Sequence, residues 1–207
     1  QLSTWQKETR KMGATSSSQL PKTHKIIQAQ SDSFFEDMHR FLQSNVKAGL
    51  IDYEQIKEDP NLMNSLTQQV ADYLIAGKNP QEQKAFYTNA YNILVISQVV
   101  NNLPIKGPWD VDGFFDANKF EVAGRMVTLD ELEKDILFSA FPDPRLHFVL
   151  VCAAIGCPPI ADYVYAPDSL ESTLDQKTTE VLNIDWYVRV YKNKTSVSKV
   201  FDWYRED

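Results

Sequence analysis

The chain has 207 residues, 43% of them hydrophobic and 12% aromatic, which suits one sizeable packed domain. Its net charge of −7 argues against nucleic acid as the main partner. No stretch approaches the roughly 20 apolar residues that a membrane-spanning helix needs, and two cysteines are too few for a disulfide framework.

Residues 1–30 are polar, with TSSSQLPKT in the middle, and read as a lead-in that is flexible or holds a short helix. Residues 31–207 read as a single α+β domain. Its helix-rich N-terminal half packs on a small sheet containing a strand at 146–154. The spacing of Phe34, Met38, Phe41 and Leu42 predicts a first helix from Ser31, with Ser33 and Glu36 as a capping box and Gly49 as its end. Leu50 to Tyr53 is a short extended piece. A second helix is expected from about Pro60 to Leu74, with Leu62, Leu66, Val70 and Leu74 spaced by four. The third and most apolar helix runs from about Pro80 to Asn101 and is stopped by Asn101, Asn102 and Pro104. Lys119 to Val127 alternates as a strand pair around Gly124. Thr128 then caps a short helix with Glu131 as its box partner. FVLVCAAI, from Phe148, reads as a strand buried on both faces and broken by Gly156. Ser169 to Leu182 is helical, Trp186 to Tyr191 extended, KNKT a turn, and Val197 to Tyr204 amphipathic.

Chemistry concentrates in DPRLHFVLVCAAIGCPPI, Asp143 to Ile160, which holds His147 and both cysteines. On a regular strand His147 and Cys152 would point to opposite faces about 16 Å apart. Cys157, between Gly156 and Pro158, sits at a turn or helix start that would favour a thiolate. It is expected to be the more exposed of the two sulfurs, and the pair to lie near each other through a bend at Ala154–Gly156. Bridged, they form a structural disulfide; free, they leave Cys157 as a nucleophile. Asn89 and Asn92 share one face of the most apolar helix with Phe86, Ile93 and Ile96. Two buried amides require specific partners, so they either pin a loop or line a pocket and orient an imidazole. Glu133 lies beside the apolar face made by Leu129, Leu132 and Ile136, and reads as a solvated edge or a site carboxylate. Asp110, Asp112 and Asp116 lack the spacing of a calcium loop. The three histidines are scattered, so no metal and no cofactor is implied.

FYTNAYNILVI, VDGFF, VTLDELEKDIL and DPRLHFVLVCAAIGCPPI, in that order, resemble the motifs of the family catalogued as domain of unknown function 547. The resemblance spans roughly residues 45–205 and rests on Asn89, Tyr91, Asn92, Glu133, Arg145, His147, Cys152, Cys157 and Pro158. It implies an exported bacterial protein, and hence an extracytoplasmic location in the periplasm, envelope or medium; Gln1 as first residue fits either a mature form after signal removal or a chain shortened by other means, and no signal peptide is visible. It also implies that similar proteins continue past Asp207, with a further aromatic and Asn-containing segment that could complete a site. A strict papain-like arrangement is absent, because asparagine and not cysteine occupies the apolar helix.

Two functions therefore stand side by side. In the first the protein is a thiol-dependent hydrolase or transferase, with Cys157 as nucleophile, His147 as base and Asn92 orienting the imidazole. Asn89, Tyr91, Glu133, Arg145 and Cys152 would support or bind the substrate, a small molecule or peptide. In the second it is a non-catalytic structural or ligand-binding domain with a Cys152–Cys157 disulfide.

Overall fold

The computed structural model describes residues 22–205 apart from residue 155. Its order is α1 (Lys22–Asn45), β1 (Val46–Lys47), β2 (Leu50–Ile51), α2 (Tyr53–Glu58), α3 (Asn61–Asp72), α4 (Pro80–Asn102), β3 (Phe120–Val122), β4 (Arg125–Val127), a π-helix (Glu131–Phe138), a 3₁₀ turn (Pro144–Phe148), α5 (Leu170–Leu182), β5 (Val188–Tyr191), β6 (Lys194–Val197) and α6 (Val200–Trp203). Each pair of strands forms its own antiparallel two-stranded hairpin. The chain is thus a single-domain α+β fold in which helices dominate. Among the described residues no helix is long and apolar enough to cross a membrane.

Helix α4 is the axis of the domain. Asn79 caps it by accepting the Glu82 N–H at 2.8 Å, and Pro80 occupies its first turn, where no intrahelical donor is needed. Leu103 turns extended ahead of Pro104 and ends it. From Lys84 to Val100 every residue is buried, so the helix is enclosed on all sides. Helices α1 and α3 pack on it through Phe34, Met38, Leu66 and Val70, and Tyr73 stacks on Phe86 with ring centroids 3.8 Å apart. One buried polar knot secures this end. Glu82 accepts from Ser31 at 2.6 Å and from Tyr73 at 3.2 Å, and pairs with Lys78 at 2.6 Å.

Three expectations need correction here. Helix α1 is already running at Lys22, so Ser33 and Glu36 lie inside it and form no N-terminal box. Residues 22–30 of the polar lead-in expected over 1–30 belong to this helix, and residues 1–21 lie outside the described residues. Helix α1 stops at Asn45, and Gly49 instead makes the β1–β2 turn at φ +77. A Cβ on Gly49 would sit 2.5 Å from Pro159 Cβ, so glycine is what lets the Cys157-Pro158-Pro159 segment dock there; the Ile160 N–H donates to Gly49 O at 3.2 Å.

The third correction concerns 146–154, which is no strand and belongs to no sheet. Pro144 opens a 3₁₀ turn whose N–H at Arg145 is accepted by Asp143, and the Leu150 N–H turns back to Leu146 O. The run is buried as expected at Leu146, Val149, Leu150 and Val151. Its hydrogen bonds, however, come from a side chain. Asn92 Nδ2 donates to Val149 O at 3.0 Å, and Asn92 Oδ1 accepts from the Val151 N–H at 3.0 Å. These are the two bonds a neighbouring parallel strand would make with residue 150. Asn89 does the antiparallel equivalent with a single residue, donating to Tyr165 O at 2.8 Å and accepting from the Tyr165 N–H at 3.2 Å. Two amides on α4 thus replace the sheet that the apolar run implied.

Arg145 sits in an ion network away from His147. It pairs with Asp143, Glu171 and Asp175, and Lys84 reaches Asp143 at 2.5 Å and Glu171 at 3.3 Å. Burial opposes ionisation of Asp143, yet hydrogen bonds from Arg145 and Lys84 outweigh it and hold the carboxyl far below the usual range. The Arg145 hydrogen bond likewise lowers Glu171. Carboxyls lowered in the folded state stabilise it above their unfolded pKa, about 4, and lose that contribution as pH falls through the lowered folded values. Lys84→Met is therefore expected to lower the unfolding free energy by about 1–3 kcal/mol at pH 7. Urea titrations at descending pH should show the gap from wild type closing below about pH 4.

Candidate functional site

Thr128 and Glu131 form the expected reciprocal box. The Thr128 N–H donates to Glu131 at 2.8 Å, and the Glu131 N–H to Thr128 Oγ1 at 3.1 Å. The turns that follow widen into the π-helix Glu131–Phe138, a form concentrated at functional sites. Glu133 projects inward from it and is only 5% exposed, so it is no solvated edge. The Tyr204 hydroxyl donates to Glu133 Oε1 at 2.6 Å. Tyr91, one residue before Asn92 on α4, is also hydrogen-bonded to Glu133. Burial, reinforced by the Glu133 charge, pushes the Tyr91 hydroxyl well above its ordinary pKa, so it stays a proton donor across the physiological range. Tyr91→Phe removes one of the two phenol donors and is expected to destabilise the fold by about 1–2 kcal/mol in denaturant titration.

His147 ends up beside this carboxylate because the chain turns instead of extending. Its ring is sandwiched between Phe138, centroids 4.4 Å apart, and Tyr204, at 4.0 Å. Tyr91, Glu133, His147, Cys152, Cys157, Trp203 and Tyr204 share the lining of one partly open cavity of about 40 Å³.

The two sulfurs are joined in a disulfide, with Cα atoms 6.1 Å apart. The bend that permits it carries Ala153 at φ +54 and a turn closed by the Cys157 N–H donating to Ala154 O at 3.0 Å. Proximity was legible; exposure was not. Cys157 is 7% exposed and is the more buried of the pair, and the segment that follows it docks through Pro159 against Gly49. A bridged Cys157 holds no thiolate, so the nucleophile expected there is absent from this state.

Of the expected site residues, the fold gathers Tyr91, Glu133, His147, Cys152 and Cys157. Asn92 spends both ends of its amide on Val149 and Val151, two and four residues beyond His147. It fixes the loop that carries the imidazole and does not touch the ring through those bonds. Asn89 holds Tyr165, and Arg145 belongs to the ion network. Tyr204 and Trp203 were not singled out by sequence reasoning. The only signal was an amphipathic aromatic end to the chain, and Tyr204 meets Glu133 across 71 positions.

Residues 75–182 match the family described as "Protein of unknown function, DUF547", over more than half of the chain. The chain belongs to that family. Neither curated proteins nor solved structures gave a match. The DUF547 match includes Tyr91, Glu133, His147 and both cysteines, and stops before Trp203 and Tyr204. It is narrower than the span of 45–205 expected from the motifs.

Proposed function

We propose that this DUF547 protein is a non-catalytic, extracytoplasmic binding domain whose site is the Tyr91–Glu133–His147 cavity, with a small molecule or the end of a peptide as ligand. The observation that carries this reading is the Cys152–Cys157 bridge, which occupies both cysteines of the chain and forms part of the cavity wall. Disulfides persist in oxidising compartments, which favours the periplasm, envelope or medium as the working location. A buried carboxylate held by two phenol donors, with aromatic rings around it, suits one compact cationic group, such as an amine end whose ligand body stays outside the cavity. The test has two parts. Thiol titration of the native protein should find no reactive sulfur before reduction and both after it. Thermal-shift screening of small amines, amino acids and short peptides should find stabilisers whose effect Glu133→Gln removes. A fast thiol in unreduced native protein would overturn the reading.

One observation favours a second function. Cys157 and His147 line the same cavity, so reduction would release a thiol beside an imidazole. In that reading the protein is a thiol hydrolase or transferase locked by its own disulfide. Alkylation of reduced Cys157 would then titrate below about pH 8, whereas a flat profile up to that pH counts against an activated thiolate.

A further inference from the structure

We propose that the β5–β6 hairpin docks this protein on an anionic phospholipid surface. The hairpin is basic, bounded by Asp185 before it and Asp202 after it. From Trp186 to Phe201 the sequence carries Arg189, Lys192, Lys194 and Lys199 and no Asp or Glu, so the net charge of −7 arises elsewhere. It also stands apart in exposure. Val190 is 72% and Tyr191 63% exposed, and the whole of β6 is exposed. Trp186 and Trp203 are further exposed rings near its base.

The register sets out the two faces. Val188 pairs with Val197 and Val190 with Thr195 on one face; Arg189 pairs with Ser196 and Tyr191 with Lys194 on the other. The base is fixed. Val188 packs on the small core of Val181, Tyr187 and Val200, and the Ser198 N–H donates to Tyr187 O at 2.8 Å. Beyond that base both faces meet solvent. The tip therefore offers an aliphatic side chain, a phenol and two ammonium groups on a projecting element of about 13 Å. Lys192 lies over the Tyr191 ring, 5.3 Å from its centroid.

Each part of that set matches the headgroup layer. Lysines pair with phosphates while their methylene stems lie along apolar matter. Tyrosine and tryptophan favour the boundary between water and hydrocarbon. Burial of an apolar tip by about 5–10 Å is the depth at which peripheral elements sit. A soluble polyanion would use the cations but would gain nothing from Val190 and Val197. Repulsion from the acidic body is screened beyond a Debye length of about 8–10 Å, which the hairpin spans.

The experiment is co-sedimentation of the intact chain with vesicles of phosphatidylcholine alone or mixed three to one with phosphatidylglycerol. Binding is expected to the mixed vesicles only, and to weaken with salt. Removing both tip cations with Lys192→Ala and Lys194→Ala should weaken it on the order of 25-fold, about fivefold for each charge. Val190→Ser with Tyr191→Ser should weaken vesicle binding several-fold and leave retention on a heparin column unchanged. All four side chains are exposed, and circular dichroism confirms that the variants fold. No preference for the mixed vesicles, or lysine variants that bind like wild type, would overturn the proposal. So would vesicle binding untouched by the Val190 and Tyr191 changes, which would leave the hairpin a charge patch that any polyanion satisfies.

Discussion

Replacing Asn92 by leucine is expected to lower the unfolding free energy by about 2–5 kcal/mol, the largest single-residue effect anticipated for a side chain near the cavity. Leucine matches the volume but offers neither donor nor acceptor. It leaves the Val149 carbonyl and the Val151 N–H without the partners they have at 3.0 Å, and a buried unsatisfied group costs about 1–3 kcal/mol. The loop so released carries His147 on one side and Cys152 on the other. Ligand-induced stabilisation should therefore fall together with stability. Asn92→Asp separates the two bonds: it keeps the acceptor for Val151 and loses the donor to Val149. Equilibrium denaturation with an unchanged slope would show that native-state bonding, and not residual structure, is responsible. A neutral Asn92→Leu would remove the clamp from the account of this fold.

Opening the Cys152–Cys157 bridge is the second large effect. Closing so short a loop removes about 2 kcal/mol of chain entropy from the unfolded state by the loop-closure relation. The melting temperature is expected to drop on reduction, and Cys152→Ser with Cys157→Ser should reproduce that drop without reductant. The fall should be larger than loop entropy alone gives, because the bridge also walls the cavity and Ser198 Oγ donates to Gly156 O at 2.9 Å within the same loop. Reductant that leaves the double variant unchanged but lowers wild type assigns the effect to this bond.

The sequence reading located the helices α3, α4 and α5 within a few residues, because the period of their apolar residues is visible in the sequence and Asn79 caps α4. It also located the β3–β4 hairpin around Gly124 and the Thr128–Glu131 box. It required partners for Asn89 and Asn92 on the cost of burial alone, and both have them. It misread 146–154, since an apolar run shows that side chains are buried but not what satisfies the backbone. Glu133 looked like an edge because a carboxylate beside leucines is usually solvated; its phenol partners come from Tyr91 and Tyr204, far away in the chain. The order of exposure of the cysteines was not legible either: the segment after Cys157 docks on Gly49 through Pro159, a contact that no local pattern announces.

The two asparagine clamps have a consequence for amide exchange. Val151 and Tyr165 lie in irregular backbone, where N–H groups normally trade their protons for deuterium within a brief local fluctuation. Here each N–H is held by a side chain rooted in the most deeply enclosed helix of the domain. Neither can open by fraying at a sheet edge, because it has no sheet edge; α4 must move first. Their protons should therefore exchange at the slow rate of the α4 amides, and two loop residues would report the opening of the domain's axis.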